Sequence, residues 1–67
     1  MEEWSEQIVA RRREVGLRQA DLAQLAEVSE RFVREVEAGK ASVRLDKLRP
    51  VLDVLGLELA LRPRETP

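Results

Sequence analysis

The chain contains neither cysteine nor histidine in its 67 residues. That double absence constrains the fold more than any other feature. A chain this short buries only about 60% of its unfolded surface and sits near the lower edge of independent folding. Such chains ordinarily draw on a disulfide, a metal or a partner chain. No disulfide can form here, and a zinc site would rest on carboxylates alone, which is a poor donor set. Pairing with a second chain is the remaining way to enlarge the core. The same absences argue against catalysis. No His or Cys is present to act as base, nucleophile or ligand, and the hydroxyls are Ser5, Ser29, Ser42 and Thr66. No enzyme, cofactor or metal is expected.

Charge is distributed unevenly. The net charge is −1, with 12 Lys and Arg against 13 Asp and Glu. Residues 1–10 hold Glu2, Glu3 and Glu6 and no base. Residues 11–49 hold ten of the Lys and Arg against seven acids. A neutral protein can still present a positive face, and the face is what meets phosphate. Charged residues make up 37% and aliphatics dominate the apolar set, the composition of a helical domain. No apolar run is long enough to cross a membrane. The acidic start lacks an apolar signal core. A cytoplasmic, nucleoid-associated protein is expected.

Three glycines divide the chain. Gly16, Gly39 and Gly56 each follow a periodic apolar segment, where a helix ends. The first helix is expected from about Ser5 to Val15, with Ser5 as N-cap and Ile8, Arg12 and Val15 on one stripe. A second runs from about Arg18 or Gln19 to Ala26, with Leu22, Ala23 and Ala26 inward. A third starts at Ser29 as N-cap and buries Val33 and Val36. Only Glu27 and Val28 separate these two, an abrupt turn. A fourth spans about Val43 to Leu55 behind Ser42 as N-cap, with Leu45, Leu48, Leu52 and Leu55 inward. Pro50 is expected to kink or break it, giving four to five short helices.

After Gly56 the period changes. Leu57, Leu59 and Leu61 alternate with Glu58, Ala60 and Arg62, a strand pattern over residues 57–62. Nothing else in the chain reads as a strand. An orphan strand presents open hydrogen bonds, and its economical partner is its own copy across a two-fold axis. The expected unit is a single domain over residues 1–62 that forms a homodimer, followed by a polar tail over residues 63–67.

Two short helices joined by a tight turn, the second led by polar residues, describe a helix-turn-helix. Its outer face carries Glu30, Arg31, Arg34, Glu35 and Ala38. An exposed helix with Arg in its N-terminal half suits the major groove, where Arg reaches guanine O6 and N7. The segments Gly16-Leu17-Arg18-Gln19-Ala20-Asp21-Leu22-Ala23, Val28-Ser29, Val33 and Val36-Glu37-Ala38-Gly39-Lys40 resemble the XRE (Cro/phage-repressor-type) helix-turn-helix family. Arg31-Phe32-Val33, Val43-Arg44-Leu45-Asp46 and Leu52-Asp53-Val54-Leu55-Gly56-Leu57-Glu58-Leu59 are similar to HipB-type antitoxins within it.

The resemblance implies a lambda-repressor-like DNA-binding domain, a dimer joined by its C-terminal strands, and autoregulation of a palindromic operator. It also implies a HipA-type serine/threonine kinase toxin as partner. By matching position, Ser29, Glu30, Arg31, Arg34 and Glu35 face the bases. Gln19, Lys40, Ser42 and Arg44 hold phosphates. Arg12 and Glu37 form a buried ion pair between the first and third helices, which accounts for an Arg on an apolar stripe. Glu27 stands where the family's turn usually has Gly; a positive φ there costs roughly 1 kcal/mol. Glu30 and Glu35 either accept from cytosine N4 or repel phosphate. Ordinary surface pairing, Arg34 with Glu30 at i,i+4, is the alternative for Arg31 and Arg34, but the surrounding motif favours at least one of them on DNA. Three classes stay open: an antitoxin-like repressor, a stand-alone XRE-type repressor, and a helical interaction module without DNA binding.

Overall fold

A computed structural model describes residues 2–40, 42–61 and 63. Among them lie four helices: α1 Glu2–Glu14, α2 Gln19–Ala26, α3 Glu30–Glu37 and α4 Leu45–Leu55. None is long and apolar enough to cross a membrane.

All four end the same way. The carbonyls three and five residues back receive the last two N–H groups of the turn, in the six-to-one and five-to-two pattern of a Schellman stop. Leu17 N–H donates to Arg12 O at 3.0 Å, Val28 N–H to Ala23 O at 3.0 Å, Lys40 N–H to Glu35 O at 3.2 Å and Leu57 N–H to Leu52 O at 2.9 Å. The pivot residue of each stop is left-handed: Gly16, Glu27, Gly39 and Gly56. Glu27 is the one non-glycine with positive φ among the described residues, at φ 60°, ψ 41°.

Each helix contributes a face to one core. Ile8 comes from α1, Leu22, Ala23 and Ala26 from α2, Val33 and Val36 from α3, and Leu48, Val51, Leu52 and Leu55 from α4. Trp4, Leu17, Val28, Phe32, Val43, Val54 and Leu57 pack partly against it. α2 lies against both α3 and α4, and α1 closes the other side of the same pair.

Several sequence expectations need correction. α1 begins ahead of Ser5, which is not a cap but a buried residue of the first turns, 2% exposed. Trp4 packs on the core, so burial draws this segment into the helix. Val15 lies past the end of α1 and is exposed. α4 starts at Leu45, with Arg44 rather than Ser42 at its N-cap. Leu45 then sits in the first turn facing outward, and Val51 is fully buried on the stripe instead. Pro50 does not divide the helix. The carbonyl deprived of its donor is that of Asp46, an exposed residue in the first turn of the helix.

No strand is present among the described residues, and residues 57–61 have no regular secondary structure. A strand needs a ladder partner, which one chain alone does not supply. Leu57 packs on the core, Leu59 is 57% exposed and Leu61 fully so. Arg62 lies outside the described residues, as does the expected tail apart from Pro63.

Candidate nucleic-acid interface

The α2–α3 pair is built around its turn. Glu27 reverses the chain, Val28 is half-buried beneath it, and Ser29 opens α3. Ser29 adopts extended backbone angles, and its Oγ accepts from the Phe32 N–H at 3.0 Å. That bond satisfies one of the free N–H groups at the start of the helix. Ser29 is thus a cap by its side chain and exposed at the rim of the face.

Burial of Val33 and Val36 fixes which side of α3 looks outward. Glu30, Arg31 and Arg34 are exposed and Glu35 is half-buried. These residues pair with one another. Arg34 Nη1 lies 3.3 Å from Glu30 Oε2. Arg31 Nε donates to Glu35 Oε2 at 3.2 Å. Lys40 Nζ donates to the other oxygen, Glu35 Oε1, at 3.3 Å. The Schellman stop at Gly39 returns Lys40 to the base of the helix and makes this last contact possible. Hydrogen bonding from Lys40, with Arg31 assisting, holds the Glu35 carboxyl below its ordinary range.

Neighbouring cations are paired as well. Arg44 and Asp46 meet in a two-pronged contact at 2.6 and 3.1 Å, and hydrogen bonding from Arg44 lowers the Asp46 carboxyl. Arg18 N–H donates to Asp21 Oδ2 at 2.9 Å, and its guanidinium reaches the same carboxylate. The backbone bond and then the guanidinium contact depress Asp21, and the guanidinium contact raises Arg18. Ser42 is exposed in the loop ahead of α4.

Behind the face lies a buried polar knot. Arg12 grips Glu37 through Nε at 2.6 Å and Nη2 at 3.1 Å, with side chains only 11% and 6% exposed. Its third nitrogen, Nη1, donates to the Leu17 carbonyl at 2.9 Å. Gln19 Nε2 donates to Glu37 Oε1 at 2.9 Å. The knot joins α1, the start of α2 and the end of α3. No buried side-chain nitrogen or oxygen among the described residues lacks a partner. Such a pair adds little net stability, but it fixes helix orientation and is expensive to break one-sidedly. Gln19, expected at a phosphate, therefore has its side-chain amide engaged inward.

Two contacts had gone unread. The Arg18–Asp21 cap follows capping-box spacing and was available from it. Arg11, on α1, donates from Nε to the Leu55 carbonyl at 2.7 Å. That bond places a cation at the negative end of α4. It spans 44 residues and leaves no local signal.

Comparison with known proteins adds two findings. A family model described as a helix-turn-helix domain matches residues 5–64. An uncharacterized HTH-type transcriptional regulator, y4mF, from Sinorhizobium fredii (strain NBRC 101917 / NGR234) is 42% identical over 48 residues, covering 72% of this chain. The chain spans 63% of that relative's length.

Proposed function

The chain belongs to a helix-turn-helix domain family, and from that premise we propose that it is a sequence-specific DNA-binding transcriptional repressor acting as a homodimer. The observation that carries this reading is α3 itself. Val33 and Val36 seat it in the core while Arg31 and Arg34 stand exposed on the opposite side, which is how a recognition helix meets the major groove. Ser29, Glu30, Arg31 and Arg34 face the bases in this reading, with Glu35 behind Arg31, and Lys40, Ser42 and Arg44 flank them toward the phosphates, joined by the backbone N–H of Gln19. Such a protein works in the cytoplasm with the nucleoid.

The dimer forms through residues 57–62, each copy's segment pairing antiparallel with the other's. Exposed Leu59 and Leu61 support this. So does an apolar cleft of about 440 Å³ between Trp4, Val43, Leu52 and Leu59. The recognition helices then stand about 34 Å apart and read a palindrome. The finer assignment is a HipB-like antitoxin that also binds a HipA-type kinase toxin; its support is the motif resemblance, and a kinase-like gene beside this one separates it from a stand-alone repressor.

Fluorescence titration of the protein onto its own upstream DNA, at two salt concentrations and beside an unrelated duplex, tests the core reading. Preference for the upstream site with a steep loss in salt is the expected result, because phosphate contact releases counterions. Equal weak binding to both duplexes means that the domain serves protein partners instead.

A further inference from the structure

We propose that Glu35 is a specificity-determining positioning residue, which aims Arg31 at one base and keeps Lys40 in register with it, without meeting a base itself. The inference rests on the DNA-binding reading above.

The geometry distinguishes the two arginines of the face. Arg34 meets Glu30 through a terminal nitrogen, Nη1, at 3.3 Å. That nitrogen belongs to the fork that recognises guanine, so the Glu30 contact competes with base reading. Arg31 meets Glu35 through Nε. Its hydrogen bond to a described residue comes from Nε and not from the two terminal nitrogens, and the side chain is 81% exposed. The carboxylate is 33% exposed. The anion therefore lies low against the helix, with the guanidinium fork beyond it. A carboxylate on Nε restrains the plane of the guanidinium, and that plane decides whether the fork meets O6 and N7 together.

Lys40 completes the arrangement. It binds Glu35 twice, through Nζ on the carboxylate at 3.3 Å and through its backbone N–H on the carbonyl at 3.2 Å. One anion thus couples a cation on the reading helix to a cation in the following loop. A Glu carboxyl is ionised at neutral pH, and these neighbours lower this one further. Holding two long side chains in place before binding reduces the entropy lost on docking. The same negative charge lowers attraction to phosphate generally. Glu35 accordingly trades unspecific affinity for discrimination.

Selection of binding sites from a randomised duplex pool tests this, with wild type, Glu35→Gln, Arg31→Lys and Glu30→Gln. Arg31→Lys keeps the charge and removes both Nε and the fork. Wild type should enrich a palindromic motif. Glu35→Gln and Arg31→Lys should both lose preference at the same base position of each half-site, by roughly tenfold, the scale of one good two-pronged base contact. Glu35→Gln should meanwhile bind random duplex at least as tightly as wild type. Glu30→Gln should leave that position intact. A Glu35→Gln motif identical to wild type overturns the inference, as does loss at a different position from Arg31→Lys, which makes Glu35 a direct reader. If wild type enriches no motif, the DNA-binding reading itself fails and this inference with it. Thermal midpoints of the variants exclude unfolding as the cause of any loss.

Discussion

Replacing Glu27 by glycine should stabilise the domain. Glu27 is the pivot of the turn between α2 and α3 at φ 60°, ψ 41°, close to the centre of the left-handed region. An L-residue held there carries a penalty of roughly 1–2 kcal/mol from its Cβ. Glycine removes that penalty but loosens the unfolded chain, which returns about 0.4–1 kcal/mol. The net gain is then about 0.5–1 kcal/mol. In a domain of this size that corresponds to roughly 2–8 °C in Tm. The side chain itself contributes nothing to offset this, since the exposed carboxylate makes no bond with a described residue. It also stands at the negative end of α2, so any neutral replacement gains a few tenths of a kcal/mol. Glu27→Ala separates the two effects, because alanine keeps the Cβ and drops the charge. Urea and thermal unfolding of the three proteins at one fixed concentration is the assay, because self-association makes the Tm of any protein that undergoes it concentration-dependent. Glu27→Gly should exceed Glu27→Ala by the backbone gain of about 0.5–1 kcal/mol. Equal stability of the two would refute the backbone argument.

Three further outcomes are expected. Glu37→Gln leaves the buried Arg12 guanidinium without its counter-charge and should cost about 3–5 kcal/mol, a large share of what a chain of this length has; urea denaturation should show it mostly unfolded, with Arg12→Met/Glu37→Leu recovering part of the loss. Leu59→Pro removes a ladder donor from the C-terminal segment, so sedimentation should find a monomer, and a mutant that stays dimeric removes the strand from the interface. Acid unfolding should follow the depressed carboxyls of Asp21, Glu35 and Asp46: across that window the unfolded chain binds more protons, so stability is complete above the ordinary carboxylate pKa of about 4 and falls as pH drops through the lowered values. Asp21→Asn should flatten that acid limb in pH-dependent urea midpoints.

Much of the fold was legible because its signals are local. Gly16, Gly39 and Gly56 mark helix ends, and Ser29 marks a helix start, through hydrogen bonds no more than five residues long. Ser5 misled for the complementary reason: it looks like a cap, and burial beside Trp4 overrules it. Pro50 misled because its effect depends on whose carbonyl it strands. The outward face of α3 was legible from the three-residue spacing of Val33 and Val36. How those residues pair was only half legible. Glu30 with Arg34 follows from helical spacing, whereas Lys40 with Glu35 depends on the turn at Gly39 folding the chain back. Arg11 with Leu55 could not be read at all, because the two ends meet only when α1 and α4 pack. Residues 57–61 read as a strand by alternation alone, and no ladder partner for them is present among the described residues.

The shared form of the four helix stops bears on how fast the domain forms. Each helix end is decided within its own last turn, before any distant segment arrives. The helix-turn-helix joins α2 to α3, neighbours in sequence, so the closure that builds it spans a short loop. Little of the search is left to chance encounters along the chain. Helical domains of this kind, rich in near-neighbour contacts, fold in microseconds to milliseconds. Stopped-flow mixing should find folding complete, or nearly so, within its dead time.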